Sequence, residues 1–161
     1  MLRFLAIIAP LFSTLLLAEE LKVISDTFKG DQRNGISVFN GNVKVTKGYD
    51  ELNASKVTIY TDKENKPTKY LAEGDVTFYI VTEVGEKYKG KAQSAVYLPN
   101  ESEYQFSKKV DLIRIDDYRR IKGDRIVVNT TQGHALAESA NDEPVIMTFT
   151  IHDKKSKSAP K

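Results

Sequence analysis

The side chains that could do chemistry in this chain are few and scattered. The two histidines, His134 and His152, stand far apart, and the 161-residue sequence contains no cysteine. A metal site needs clustered His, Cys or carboxylate ligands, and neither histidine has a spacing typical of one. We interpret each histidine as an ordinary strand or tail residue, and we expect no metal and no other cofactor.

Asp116 and Asp117 are the best candidates for paired carboxylates in acid/base catalysis. Adjacent residues in a strand or turn point their side chains apart, so we interpret this pair as a turn. The sequence also contains no Gly-x-Ser-x-Gly elbow, no phosphate-binding glycine loop and no cysteine nucleophile. We therefore expect that the protein is not an enzyme.

A short run of positive charge at Arg119, Arg120 and Lys122 is the best candidate for binding an anion. Cationic side chains near an opening could meet phosphate groups. An edge strand protected by positive charge explains the same residues. The whole chain has 24 Lys and Arg against 22 Asp and Glu, and this near balance does not favour a nucleic-acid partner.

The N-terminal 18 residues differ in composition from the rest of the chain. Arg3 carries the only charge before Glu19, the residues between are almost all apolar, and Ala18 supplies the small residue typical of a cleavage site. The apolar run contains Pro10 and is about 14 residues long, short of the roughly 18 that a membrane span needs. We predict a signal peptide over residues 1–18, cleaved after Ala18. Retention as an anchor is the alternative, because Leu16 stands where a small residue is usual.

A repeat of 33 to 34 residues organises the rest of the sequence. Each copy pairs two polar or glycine residues with alternating apolar ones: Gly41-Asn42-Val43-Lys44-Val45, Gly74-Asp75-Val76-Thr77-Phe78 and Lys108-Lys109-Val110-Asp111-Leu112, with a weaker fourth copy from Val145. A fixed period of this length is typical of a chain built by stacking β-units.

Short alternating runs bounded by Gly, Asn, Asp or Pro predict an all-β fold. The predicted strands are Leu21–Ser25, Ser37–Thr46, Glu51–Tyr60, Lys69–Val81, Lys87–Leu98, Glu103–Ile115, Tyr118–Val128, Gly133–Glu138 and Pro144–Ile151. Because strand side chains alternate between faces, each repeat has one apolar face. Two sheets packed through these faces give a β-jelly-roll or β-taco sandwich of stacked antiparallel strand units, with open edges at both ends.

Three segments in this order resemble the OstA-like (LptA) family of periplasmic lipopolysaccharide transport proteins. They are Phe39-Asn40-Gly41-Asn42-Val43-Lys44-Val45-Thr46-Lys47-Gly48 with Leu52-Asn53-Ala54-Ser55-Lys56-Val57, then Gly90-Lys91-Ala92-Gln93-Ser94-Ala95-Val96-Tyr97, and Ile121-Lys122-Gly123-Asp124-Arg125-Ile126. The resemblance implies an OstA-like β-jelly-roll domain over residues 19–152. Residues 153–161 are rich in Lys, Ser, Ala and Pro without apolar periodicity, so we predict a disordered basic tail there. The third repeat departs from the family at Lys108-Lys109, where Gly-Asn is common. We interpret these residues as a solvent-facing turn that tolerates the lysines, with a weakened repeat.

The resemblance further implies a protein that carries lipopolysaccharide from an inner-membrane extraction complex to an outer-membrane translocon, with the acyl chains of lipid A in the apolar groove. The implied partners are the membrane-anchored subunit and the translocon, bound through edge strands, and further copies joined head to tail. The predicted lipid-binding residues are Leu21, Val23, Phe39, Val43, Val45, Leu52, Val57, Ile59, Val76, Phe78, Ile80, Ala95, Tyr97, Phe106, Val110, Leu112, Ile126 and Val128.

Two alternatives stay open at this point. The chain could be the membrane-anchored subunit of the same export machine, if residues 1–18 are retained. It could also be a β-solenoid that binds protein partners without lipid.

Overall fold

The computed structural model describes residues 20–140 and 144–151. The predicted signal peptide, His152 and the predicted basic tail lie outside the described residues. Within the described part, no helix has the length and apolar character needed to cross a membrane.

Ten antiparallel strands of the described residues form a single sheet. They are β1 Leu21–Ile24, β2 Thr27–Asp31, β3 Ile36–Lys47, β4 Asp50–Thr61, β5 Pro67–Val81, β6 Lys87–Leu98, β7 Glu103–Arg114, β8 Arg119–Asn129, β9 His134–Glu138 and β10 Ile146–Thr148, with a 3₁₀ turn at Pro99–Glu101. The spatial order is β1-β3-β4-β5-β6-β7-β8-β10, and β2 and β9 pair with β3 and β8. The all-β fold class is confirmed.

The sandwich is this one sheet folded along its middle. β1 pairs with residues 44–47 of β3, whereas β2 pairs with residues 36–40 of the same strand. At the other end, β10 pairs with residues 120–122 of β8 and β9 pairs with residues 125–129. Each long strand therefore contributes one half to a first wall, which includes β1 and β10, and the other half to a second wall, which includes β2 and β9. The expectation of two separate sheets was wrong.

A line of β-bulges makes the fold in the sheet. Each pair of long strands shifts register at its centre, as between Asn40 and Val43 of β3. The residues there, Gly41-Asn42, Gly74-Asp75 and Lys108-Lys109, have positive φ angles between 45° and 80°. A bulge inserts one extra residue and bends the strand. The repeat therefore marks the bend of each odd-numbered strand from β3 to β7.

Lys108 and Lys109 adopt the same left-handed backbone as the glycine pairs, with φ of 65° and 53°. They lie inside β7, so the interpretation of a weakened turn was wrong: the backbone repeats and only the residue types differ. A non-glycine residue in this region is strained, and the left-handed conformation costs about 1 to 2 kcal/mol.

We expect Lys108→Gly to be better tolerated than the same change in a regular strand. The glycine relieves the strain of the left-handed backbone. This gain exceeds the roughly 0.5 to 1 kcal/mol of stability that a glycine in a strand loses through its greater flexibility in the unfolded chain. Lys89 is an equally exposed lysine in β6 without a positive φ, so Lys89→Gly carries only that cost. Urea unfolding should rank the glycine variant at 108 as more stable than the one at 89 by about 1 to 2 kcal/mol. Equal stabilities would show that the bulge is not strained.

Most strand boundaries lie within two residues of their predicted positions, with two corrections. β2 was missed because it has a single large apolar residue, Phe28, and all five of its residues are exposed, so it has no alternation. The last strand was predicted over Pro144–Ile151, but only Ile146–Thr148 pairs, with Arg120, Ile121 and Lys122 of β8.

Candidate functional site: a cleft between the two walls

Side chains from distant strands meet between the walls. Phe78 of β5 pairs in the sheet with Gly90 of β6, and Gly90 pairs with Leu112 of β7. Phe78 nevertheless stacks on Phe106 from the other half of β7, with ring centroids 3.9 Å apart. Gly90 makes this possible, because a Cβ there would lie 2.7 Å from the Phe78 ring.

A hydrogen bond joins the two walls at the open side of the folded sheet, opposite the line of bulges. We call this open side the mouth. Tyr104 of β7 donates its hydroxyl to Oδ2 of Asp50, which begins β4, at 2.8 Å. β4 and β7 are three strands apart, about 14 Å in a flat sheet, so this bond spans from one wall to the other. The second carboxylate oxygen of Asp50 accepts from the Val81 amide at 2.8 Å. We call the Tyr104–Asp50 bond the latch.

Burial, together with the Asp50 carboxylate, raises the pKa of Tyr104 well above its usual range. The hydroxyl therefore keeps its proton across the physiological pH range and remains a donor. A second link across the mouth joins backbone groups, since the Glu83 amide donates to the Thr130 carbonyl at 3.1 Å.

An apolar cleft runs between the walls from the β1 end to the Phe78–Phe106 stack. It is lined by Leu21, Val45, Lys47, Asp50, Glu51, Leu52, Val57, Tyr70, Ala72, Phe78, Ile80, Ala95, Val96, Tyr97, Tyr104 and Phe106. Its volume is about 60 Å³. At this size the cleft is narrow and has room for only a few water-sized groups.

The predicted lipid-binding residues all lie on the inner side of the fold, but only half of them line the cleft. Those in the cleft are Leu21, Val45, Leu52, Val57, Phe78, Ile80, Ala95, Tyr97 and Phe106. Val43, Ile59, Val76, Val110, Leu112, Ile126 and Val128 are buried in the closed core, and Val23 and Phe39 pack partly buried against it. Leu112, Ile126 and Val128 are 0% exposed. Contact of these residues with lipid stays a prediction, and it requires the walls to separate.

Several cleft residues were absent from the predicted set. Tyr70 and Ala72 share the even-numbered alternation of Val76 on β5, and Tyr104 shares that of Phe106 on β7, so extending each alternation finds them. Lys47 and Asp50 had no such signal, because they look like ordinary turn residues.

Three tyrosines form a row along the second wall at the mouth. Tyr70, Tyr97 and Tyr104 are direct cross-strand partners on β5, β6 and β7. Their ring centroids are 5.8 Å and 4.3 Å apart. The Lys47 ammonium reaches from the first wall to 5.9 Å from the centre of the Tyr97 ring. Rings with one apolar body and one polar tip suit a boundary between apolar space and water.

A polar recess adjoins the cleft on its outer side. Its volume is about 290 Å³, and it is lined by Lys47, Tyr49, Asp50, Val81, Thr82, Glu83, Tyr97, Tyr104 and Thr130. Lys47, Asp50, Tyr97 and Tyr104 border both spaces. The mouth thus joins a narrow apolar compartment to a wider polar one.

The other candidates from the sequence lie away from the mouth. Asp116 and Asp117 form the β7–β8 turn as predicted. Asp116 accepts from the Lys87 amide, while Asp117 binds Arg114 and Arg119. The hydrogen bond from Arg114 is the main cause that lowers the pKa of Asp117 to about 2.

Two members of the basic cluster on β8, Arg119 and Arg120, are paired with acids. Arg119 binds Asp117, and Arg120 binds Asp111 through two nitrogens. A phosphate would have to displace these carboxylates. The edge-strand explanation was wrong for Arg120 and Lys122, since β10 pairs with them. His134 is exposed on β9, and residues 20–140 and 144–151 contain no group of three or more His, Cys, Asp or Glu that could hold a metal.

Comparison with known proteins decides the family. The family model described as "LptA/(LptD N-terminal domain) LPS transport protein" matches residues 22–134, from β1 to the start of β9. The chain belongs to this LPS transport protein family. The predicted OstA-like relationship is thereby confirmed, and the matched region contains all three hairpins of the repeat.

Among solved structures, the LPS transport fold is shared with LptH from Pseudomonas aeruginosa, described as the LptA homologous periplasmic component of the lipopolysaccharide transport device. The TM-score is 0.72 at 19% sequence identity, over 83% of this chain and 96% of LptH. At this identity the likeness shows the fold. A search of curated proteins found no match.

Proposed function

We propose that this protein is a periplasmic bridge that binds lipopolysaccharide and carries it from the inner-membrane extraction complex to the outer-membrane translocon. The observation that carries the proposal is the apolar cleft between the walls, in a chain of an LPS transport family. Acyl chains of lipid A would lie between the walls, where Leu21, Val45 and Leu52 replace the hydrocarbon of a membrane.

The energetics of such a site favour transfer between copies. Each buried methylene contributes about 0.8 kcal/mol, so several acyl chains would be held too tightly for release into water. A site that recurs from one copy to the next makes each transfer nearly neutral in free energy. Direction and energy must then come from a partner, because the sequence has no nucleotide-binding motif.

Loading requires the walls to move apart. The cleft in its closed form is too narrow for a whole acyl chain. The latch and the Phe78–Phe106 stack hold the walls together. We therefore propose that lipid enters at the β1 end, where the cleft already exists, and opens the core toward β8 as it advances.

The ends of the sheet suit the proposed partners. β1 and β2 form one end, and β9 and β10 form the other. The second end exposes apolar side chains, with Leu136 57%, Ile146 53%, Met147 51% and Phe149 56% accessible. Exposed apolar edges favour addition of strands from another chain. Head-to-tail assembly then predicts a sedimentation coefficient that rises with protein concentration, and a constant monomer would contradict it.

The lipid site is tested by photocrosslinking from Leu52. This residue is partly buried, lines the cleft and pairs with Val45 and Phe78, so a photoreactive amino acid there should capture lipid A. The same amino acid at Lys89, exposed on the outer face of the first wall, is the matched control and should capture none. Equal labelling at both positions, or none at Leu52 in a folded protein, would refute the cleft.

Export is tested separately. We propose that residues 1–18 are removed and that the mature protein is periplasmic. The mass of the exported protein should then correspond to a chain that starts at Glu19. A mass that includes residues 1–18 would favour the membrane-anchored subunit instead.

A further inference from the structure

We propose that the turn between β5 and β6 is a gate that closes the mouth at its β8 end and opens to let the lipid pass there. Residues 82–85 form this turn, and we call it the strap. The inference rests on the proposed function, in which lipid advances between the walls from β1 toward β8. It adds the element that controls the far end of that path.

The strap reaches from the first wall to the second. It connects the ends of β5 and β6 on the first wall, yet the Glu83 amide donates to the Thr130 carbonyl at the end of β8 on the second wall, at 3.1 Å. Val84 meets the turn between β8 and β9, because a Cβ added to Gly133 would lie 3.0 Å from Cγ2 of Val84. Val128, just before Thr130, is 0% exposed and lies outside the cleft. The strap therefore closes the mouth beside the part of the core that the cleft does not reach.

The base of the strap is fixed to the first wall. Thr82 is 3% exposed, and its amide donates to the Glu86 carbonyl at 2.9 Å. The Glu86 carboxylate accepts from Arg114 and from the Tyr88 hydroxyl, both at 2.7 Å. Two independent bonds hold Glu86, so the base stays in place when one of them is lost.

The tip of the strap, in contrast, is free to move. Glu83 is exposed, and Val84 is 57% exposed. Gly85 has a φ of 87°, and a side chain there would meet no atom within 4 Å. An exposed tip on a fixed base, with a glycine in open space between them, is the arrangement of a loop that swings about a hinge. One amide-to-carbonyl bond and the contact of Val84 are what such a motion breaks.

The strap also contacts the segment that leads to the far edge of the sheet. Gly133 immediately precedes β9, and β9 pairs only with β8 among the described strands. This edge is where we propose that a partner chain docks. A strand added to β9 acts on the turn that the strap holds, so docking of the partner and release of the lipid are coupled at this point.

Glu83→Pro tests the gate, and Lys63→Pro is the matched control. Each residue is second in a four-residue turn, 82–85 or 62–65, that an amide-to-carbonyl bond closes, and proline suits this position. Proline at 83 removes the amide that is bonded to Thr130, whereas the Lys63 amide has no hydrogen-bond partner among the described residues. Stopped-flow loading of fluorescent lipid A into the mature protein should be about two- to tenfold faster for Glu83→Pro. Lys63→Pro should load at the wild-type rate.

A disulfide between the two turns tests the gate in the opposite direction. In the double variant Val84→Cys with Gly133→Cys, the sulfur at 84 can take the place of Cγ2, 3.0 Å from the Cβ at 133. A disulfide of ordinary geometry has about this distance between one sulfur and the opposite Cβ. The natural chain has no cysteine, so only this disulfide can form. The oxidised protein should load lipid A about tenfold or more slowly, and a reductant should restore the rate.

Backbone strain at position 133 is common to the oxidised and reduced forms, so it does not affect their comparison. The wild-type protein should respond to neither oxidant nor reductant. Equal loading of the oxidised and reduced forms refutes the gate while lipid binding stands, as does failure of the two cysteines to form a disulfide. Wild-type loading by Glu83→Pro, or equally fast loading by Lys63→Pro, also refutes it. If the wild-type protein takes up no lipid A, the proposed function fails and the gate with it.

Discussion

Replacing Phe106 by alanine is expected to lower the free energy of unfolding by about 3 to 5 kcal/mol. Phe106 is 0% exposed and stacks on Phe78 of the opposite wall, with ring centroids 3.9 Å apart. The alanine variant loses this contact between the walls and leaves a cavity that the surrounding strands cannot fill. Equilibrium unfolding in urea, followed by circular dichroism, measures the loss.

Phe28→Ala is the matched control for this prediction. Phe28 also contacts an aromatic ring, that of Phe39 at 4.9 Å, but it is 62% exposed on β2. Its removal should cost less than about 1 kcal/mol, because a surface side chain leaves no cavity. Similar losses for the two variants would mean that the Phe78–Phe106 stack does not hold the walls together.

Replacing Tyr104 by phenylalanine is expected to open the mouth of the cleft. The change removes only the hydroxyl of the latch and keeps the ring in its row between Tyr97 and Phe106. A hydrogen bond to a charged acceptor contributes about 1.5 to 3 kcal/mol, and each 1.4 kcal/mol is a tenfold change in an equilibrium. Uptake of an apolar fluorescent probe should therefore be at least about tenfold faster in stopped-flow measurements.

Tyr88→Phe removes a comparable bond without touching the mouth. The Tyr88 hydroxyl donates to the Glu86 carboxylate at 2.7 Å, only two residues away along the chain. Stability should fall in this variant also, but the rate of probe uptake should stay at the wild-type value. If both variants load at the wild-type rate, opening does not depend on the latch. If both load faster, the rate reflects general loosening of the fold.

The sequence predicted the inner face best on the odd-numbered long strands. The inward-facing residues of β5 are even-numbered on both sides of the bend. They are Tyr70 and Ala72 on the second wall, and Val76, Phe78 and Ile80 on the first. The bulge adds one residue where the sheet folds, so the alternation continues unbroken from one wall to the other. Simple alternation is therefore sufficient on these strands.

The even-numbered strands behave differently, and this explains the missed core residues. On β4, Ala54 faces inward before the bend while Val57 and Ile59 face inward after it, so the alternation changes from even to odd. Tyr88 and Ala92 of β6 were not predicted to face inward for the same reason, because they precede the bend and the alternation changes there. A single alternation along each strand finds only one half of it.

Contacts across the mouth were not predictable from local pattern. Asp50 and Tyr104 are 54 residues apart and belong to different repeats. Their meeting depends on how far the sheet folds and on which strands the fold brings opposite each other. Neither quantity is encoded in the spacing of apolar residues within one strand.

The line of bulges makes the protein modular in length. Each repeat of 33 to 34 residues forms one hairpin, and two strands at a spacing of about 4.8 Å extend the folded sheet by about 10 Å. The six long strands β3 to β8 thus span about 24 Å from the first strand to the last. A chain of this design can grow or shrink only by whole hairpins, because any other insertion in a long strand would displace its bend from the common line.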